Sequence, residues 1–162
     1  MMRKAIIFFL LIFSIIIIWQ GIHLYSVINK SFQLSEKEAL QYIESKNLDL
    51  VDIYETSFYN GTESYQVIVG KNSRGKEIII WVADTLDTHF IRKKEDGISY
   101  EQVLSFIESE LSPEETISIK LGIEQSVPLY EIIYKDQSNR FSYYYISFKD
   151  GKYLKHYHLG RE

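Results

Sequence analysis

The sequence contains no cysteine. That single absence removes disulfides, thiolate zinc sites, a thiol nucleophile and a lipidated-cysteine anchor. Glycine occurs 8 times and proline twice, and no glycines fall into G-x-G-x-x-G or G-x-x-x-x-G-K-[ST]. A phosphate-cradling loop of either kind is therefore missing. H-E-x-x-H and G-x-S-x-G are missing too, which excludes a zincin helix and a nucleophile elbow. Net positive charge is absent beyond the N-terminus: the net charge is −4, and setting aside Arg3 and Lys4 leaves −6 for the rest. Such a chain has no basic footprint for nucleic acid or anionic lipid.

Charge of either sign is absent from Ala5 to Asn29, where Ala5–Trp19 is almost pure Ile, Leu and Phe. A bilayer core of about 30 Å needs roughly 20 apolar residues in a helix. Continuing through Ile22, Leu24, Val27 and Ile28 reaches that length, so residues 5–28 are expected to span a membrane. Trp19 and Tyr25 suit its outer interface. A cleaved signal peptide is the rival reading, but it needs a shorter apolar core followed by small residues. Here the core is followed by Trp19-Gln20-Gly21-Ile22-His23-Leu24, which is bulky and turns apolar again. Arg3 and Lys4, within residues 1–4, are retained on the cytoplasmic side, which puts the remaining chain outside the cell. Residues 29–33 then form a short linker; even fully extended, the stretch from Asn29 to Leu34 spans only about 20 Å.

The outer region reads as two copies of one unit, expected at 34–90 and 98–162 with a connector at 91–97. Leu34–Ser45 (LSEKEALQYIES) lies without gaps over Ile98–Ser109 (ISYEQVLSFIES). Ser35 with Glu38, and Ser99 with Gln102, each make the S-x-x-E/Q capping box of a helix start. Leu34 with Ala39, and Ile98 with Val103, occupy the positions of a hydrophobic staple. Apolar residues then recur at helical spacing as Ala39, Leu40, Ile43 and as Val103, Leu104, Ile107. Strands follow each helix. Leu50–Tyr59 and Ser64–Val69 flank Asn60-Gly61, a hairpin signal. Lys76–Ala83 contains Ile78-Ile79-Ile80-Trp81-Val82, apolar on both faces and so expected as a central strand. Ser112-Pro113 stops the second helix, and Thr116–Ile123, Leu129–Lys135, Arg140–Phe148 and Tyr153–Leu159 follow as strands. The fold class is α+β: each unit is one helix packed on a three- to four-stranded antiparallel sheet.

Little in the chain suggests chemistry. Glu108 and Glu110 are a carboxylate pair of the kind any exposed helix carries, and an acid–base role would need a cleft. His156 and His158 point to one side of a strand and could share a metal, but a zinc site needs a third ligand and His89 is the one other histidine of the outer region. Two histidines on the solvent face of a terminal strand are expected instead. Asn60-Gly61-Thr62 has the glycosylation pattern but is read as a turn. No catalytic residue, cofactor, metal or small-molecule substrate is expected. Tyrosine is the residue in surplus: Tyr130, Tyr134, Tyr143, Tyr144, Tyr145, Tyr153 and Tyr157 crowd the second unit. Alternation puts Phe141, Tyr143 and Tyr145 on one side of a strand and Tyr144, Ile146 and Phe148 on the other. One side should face the helix; the other covers the sibling unit or receives a partner, since tyrosine is enriched in interfaces. Tyr130, Tyr134, Tyr143 and Tyr145 are the candidate protein-binding anchors.

The anchor Ala5–Ile28, the paired starts Ser35–Ser45 and Ser99–Ser109, and the strand Ile78–Asp84 together resemble the TseB-like (YpmB-like) cell-wall elongation regulators of Gram-positive bacteria. The units also resemble PepSY and cystatin-like modules. The resemblance implies a membrane-anchored, extracytoplasmic, non-enzymatic protein that acts on peptidoglycan synthesis by binding a penicillin-binding protein. PepSY likeness alone would also allow an inhibitor or modulator of an extracellular peptidase.

Overall fold

The structure, a computed structural model, describes residues 13–21 and 36–160. The chain divides into two compact units, Met1–Glu38 and Ala39–Glu162. In the first, residues 13–21 are helical, and Phe13, Ile15, Ile16, Ile17, Ile18 and Trp19 expose their side chains. Among the described residues no helix is long and apolar enough to cross a membrane. Most of the span expected at 5–28, together with Leu34 and the cap expected at Ser35, lies outside the described residues.

Helix α1 covers residues 36–45. Strands β1 (Asp52–Asn60), β2 (Ser64–Lys71), β3 (Glu77–Ala83) and β4 (His89–Lys93) follow, and pair in that order as an antiparallel meander. Helix α2 (Tyr100–Phe106) continues into a wider turn, Ile107–Leu111. A second meander is built from β5 (Glu115–Glu124), β6 (Val127–Lys135), β7 (Phe141–Ser147) and β8 (Tyr153–Leu159). One helix followed by a four-stranded antiparallel sheet thus occurs twice in the chain.

The first sheet is buried on both faces because β2 and β3 are apolar at successive positions. Ile68, Ile78, Ile80 and Val82 pack against Ala39, Tyr42 and Ile43 of α1. Val67, Val69, Ile79 and Trp81 point the other way into a larger core shared with Val103 and Ile107 of α2 and with Ile123, Leu129, Ile132, Ile146 and Phe148 of the second sheet. Each of these side chains, fully buried, contributes about 1.5–3 kcal/mol relative to exposure. The indole N–H of Trp81 is buried in this core without a hydrogen-bond partner.

Helix α2 begins at the Ser99 capping box. The Gln102 N–H donates to Ser99 Oγ at 3.2 Å, and the Ser99 N–H donates to Gln102 Oε1 at 2.8 Å. Ser112, in the left-handed region at φ 41°, ends the helical run just before Pro113.

Three local features differ from the sequence reading. Strand β4 (His89–Lys93) runs across the boundary expected between the first unit and the connector at 91–97; its edge position and its two apolar residues, Phe90 and Ile91, hide it from pattern. Val127-Pro128, just outside the strand expected at Leu129–Lys135, opens β6; the Pro128 carbonyl accepts from the Phe148 N–H at 3.0 Å, and the missing proline N–H is tolerated at a strand start. The β1–β2 connection is Gly61–Glu63, since Asn60 pairs with Ser64. Gly61 is required there by close approach: a Cβ would sit 2.6 Å from the Tyr59 ring and 2.8 Å from Glu124 Oε1.

Candidate protein-binding face

The register of the second sheet sorts its tyrosines. In β6 and β7, Tyr130 pairs with Ile146, Ile132 with Tyr144 and Tyr134 with Ser142, and these residues share one face. Glu131 pairs with Tyr145 and Ile133 with Tyr143 on the opposite face. The four sequence-predicted anchors are therefore split two and two between the faces. Tyr130, Tyr134 and Tyr145 are only 6, 4 and 2% exposed, so three of the four rings are core. Tyr143 alone is half-exposed.

The first face lies toward α2, where the Phe106 and Tyr144 rings meet. The Tyr130 hydroxyl donates to the Ile98 carbonyl at 3.1 Å, and burial pushes its pKa up to about 12. The Tyr134 hydroxyl lies 3.2 Å from His156 Nε2. His156 pairs with Tyr144 and His158 with Ser142, so both histidines sit on this face rather than on the opposite one. His158 Nδ1 is 2.7 Å from Ser142 Oγ and 3.6 Å from Asp136 Oδ2. Burial and the neighbouring His158 hold His156 below the usual histidine range. Hydrogen bonds from Arg140 bring the Asp136 carboxyl down to about 2. Among the described residues no group of three His, Cys, Asp or Glu side chains could hold a metal ion.

The opposite face carries a polar network under an aromatic stripe. Glu131, 7% exposed, accepts from the Tyr145 hydroxyl at 2.7 Å, and that hydroxyl is 2.9 Å from the Tyr157 hydroxyl. Lys155 Nζ donates to both Glu124 oxygens at 2.7 Å and lies 4.2 Å from the Tyr145 ring centroid. The Tyr59 hydroxyl, from the first sheet, donates to the same Glu124 at 2.9 Å. Burial and these carboxylate neighbours push the Tyr145 and Tyr59 hydroxyls far above the ordinary tyrosine range. They are neutral hydrogen-bond donors, which suits a rigid platform.

Above that platform, Phe141 pairs with Leu159 and Tyr143 with Tyr157 across β7 and β8. The Tyr143 and Tyr157 rings stack with centroids 4.9 Å apart. Phe141, Tyr157 and Leu159 are 46, 42 and 57% exposed. This stripe lies along the sheet edge, because β8 ends the strand order. Rigid, amphipathic aromatics backed by a buried network are the composition of an interface centre. Sequence reasoning found Tyr143 but not its companions in this role; the signal available was the pairing of two period-2 apolar runs at the end of the chain.

Residues 38–83, from α1 through β3, match the family described as the cell wall elongation regulator TseB-like domain. Along nearly its whole length the chain is similar to the probable cell wall elongation regulator TseB of Bacillus subtilis (strain 168): 28% identical over 157 residues, covering 95% of this chain and 98% of that one. The fold is similar to that of the YpmB protein from Bacillus subtilis, with a TM-score of 0.67 and 27% identity over 75% of this chain and 96% of that one. The TseB-like resemblance read from the residues is shown by all three.

Proposed function

We propose that this TseB-like protein is a membrane-anchored, extracytoplasmic regulator of cell-wall elongation that acts by binding a penicillin-binding protein and performs no catalysis itself. The observation that carries this reading is the similarity to a probable cell wall elongation regulator along 95% of the chain. The anchor is supported by the uncharged stretch from Ala5 to Asn29 after Arg3 and Lys4. A protein partner is supported by the Phe141, Tyr143, Tyr157 and Leu159 stripe, where exposed aromatic area sits on a hydrogen-bonded base. A non-enzymatic role is supported by the catalytic motifs that the sequence lacks.

Photocrosslinkers placed at Phe141, Tyr143 and Tyr157 in intact membranes test the proposal. Capture of a penicillin-binding protein from these positions, and not from Glu44 on α1, is the expected result. If no synthase is captured, and deletion of the gene leaves cell shape and β-lactam sensitivity unchanged, the cell-wall reading fails. Capture of an extracellular peptidase in its place would favour the peptidase-modulator reading.

A further inference from the structure

The stripe at β8 is not the only open edge. The strand order of the first sheet ends on β4, and beside β4 the two sheets leave a cleft. Two grooves, of about 540 and 590 Å³, share Ser126 as a wall. The first is lined by Glu63, Tyr65, Asp84, Asp87 and Phe90. The second is lined by Arg92, Asp96, Val127, Pro128, Phe148 and Lys149. One end is acidic, with three carboxylates; the other presents two cations, with Asp96 beside them, over an apolar floor. Among the described residues none of these charged groups is in an ion pair. Opposite charges at the two ends of one cleft are open to charges of opposite sign on a ligand.

The backbone of β4 is oriented to take a strand. The Ala83 N–H donates to the Thr88 carbonyl at 2.9 Å, and that bond sets the phase of the β3–β4 ladder. Since hydrogen-bonded pairs alternate in an antiparallel pair, Phe90 and Arg92 turn their backbone groups to Trp81 and Ile79 of β3. His89, Ile91 and Lys93 turn theirs to the open side. The Ile91 carbonyl accepts there from its neighbour, Arg92 Nη1, at 2.7 Å. Meanwhile the side chains of Phe90 and Arg92 line the cleft. The facing wall is the two-residue turn between β5 and β6, where Gln125 and Ser126 both hold left-handed backbone at φ 48° and 66°. Positive φ at both central residues is what a two-residue hairpin turn requires, so the wall is set by the β5–β6 hairpin.

We infer that the β4 edge and the adjoining cleft bind an extended segment of a partner protein, added as a fifth strand, with a basic side chain over Asp84 and Asp87 and an acidic one over Arg92 and Lys149. The span from Asp87, in the turn before β4, to Arg92 on β4 sets the length. Five steps of about 3.4 Å separate the charged ends, so the segment has about six residues, with small or apolar side chains between its charges. Main-chain hydrogen bonds to Ile91 and Lys93 supply affinity, and the two charged ends supply selectivity. Binding would replace the Arg92 contact to Ile91 and release the guanidinium toward the incoming carboxylate. The inference concerns a second surface and does not depend on the cell-wall reading.

The test uses the full chain in mild detergent and three blocked hexapeptides with Thr and Val alternating between their end residues. One carries Lys at one end and Glu at the other, one carries Lys at both ends, and one carries Glu at both. The expected result is tightest binding of the mixed-charge peptide, with amide-exchange protection appearing at Ile91 and Lys93. The Arg92→Glu/Lys149→Glu variant makes both ends acidic and should bind the mixed peptide about tenfold more weakly while preferring the doubly basic one. Ile91→Pro removes an outward-facing N–H without breaking the ladder and should weaken all three peptides. Equal binding of the mixed and doubly basic peptides to the unaltered chain would overturn the inference, because it would reduce to attraction toward an acidic protein. Protection at β8 instead of β4, or no measurable binding of any peptide, would overturn it as well.

Discussion

Tyr59 is the residue on which the two sheets meet. It belongs to β1, is fully buried, and sends its hydroxyl to Glu124 on β5. Its ring lies against Gly122, where an added Cβ would be 2.4 Å from a ring carbon. Gly122→Ala should therefore cost about 1–3 kcal/mol of stability, since a close-packed ring must shift. Pairing it with Tyr59→Leu, which removes the obstructing ring, should cost less than the two single changes added together. Chemical denaturation of the four chains measures the coupling; strict additivity would mean that the ring has room to move. None of this was legible in the sequence, where Gly122 is one glycine in a strand and Tyr59 one tyrosine before a turn. The fate of Tyr130, Tyr134 and Tyr145 has the same cause. Seven tyrosines exceed what one thin core can hold, but the far face of the first sheet joins that of the second. The shared core is larger than either unit implies, and it absorbs rings that would otherwise face a partner.

Among the elements, helices and apolar strands were the most legible because their signals are local. The Ser99 and Gln102 pattern predicts a capping box, and both of its hydrogen bonds are present. Ser99→Ala should cost about 1 kcal/mol, and Gln102→Ala less, because the serine oxygen at the N-cap serves an orphan N–H of the first turn. Thermal melts of the two variants check the order; a larger loss for Gln102→Ala would show that the glutamine does more than close the box. Strand β3 likewise announced itself, since Ile78, Ile80 and Val82 serve one face and Ile79 and Trp81 the other. Strand β4 did not. An edge strand needs only one packed face and tolerates charge, so its sequence, HFIRK, resembles a loop. Pro128 misled for the opposite reason: proline reads as a break, yet a strand's first residues can do without its N–H. The exposed stripe was half visible, because the alternation of β7 was readable but its pairing with β8, which places Tyr157 beside Tyr143, is a long-range fact.

At the scale of the whole molecule the proposal stands on topology, and topology is where the N-terminal residues matter most. Residues 13–21 form a helix on which five large aliphatic or aromatic side chains and Trp19 stand exposed to the surroundings. A helix apolar all round is at home in a bilayer and costly in water. Arg3 and Lys4 precede it, and no small-residue cleavage pattern follows it. The expected arrangement is an uncleaved anchor with the N-terminus inside the cell and both sheets outside. Protease added to intact cells should remove a C-terminal tag while leaving a short, membrane-associated fragment that still carries an N-terminal tag. In disrupted cells both tags should be lost. A mature protein that begins after about residue 20 would instead mean that the apolar stretch is removed as a signal peptide. Protection of the C-terminal tag in intact cells would reverse the orientation, and with it the access to wall synthesis that the proposed function requires.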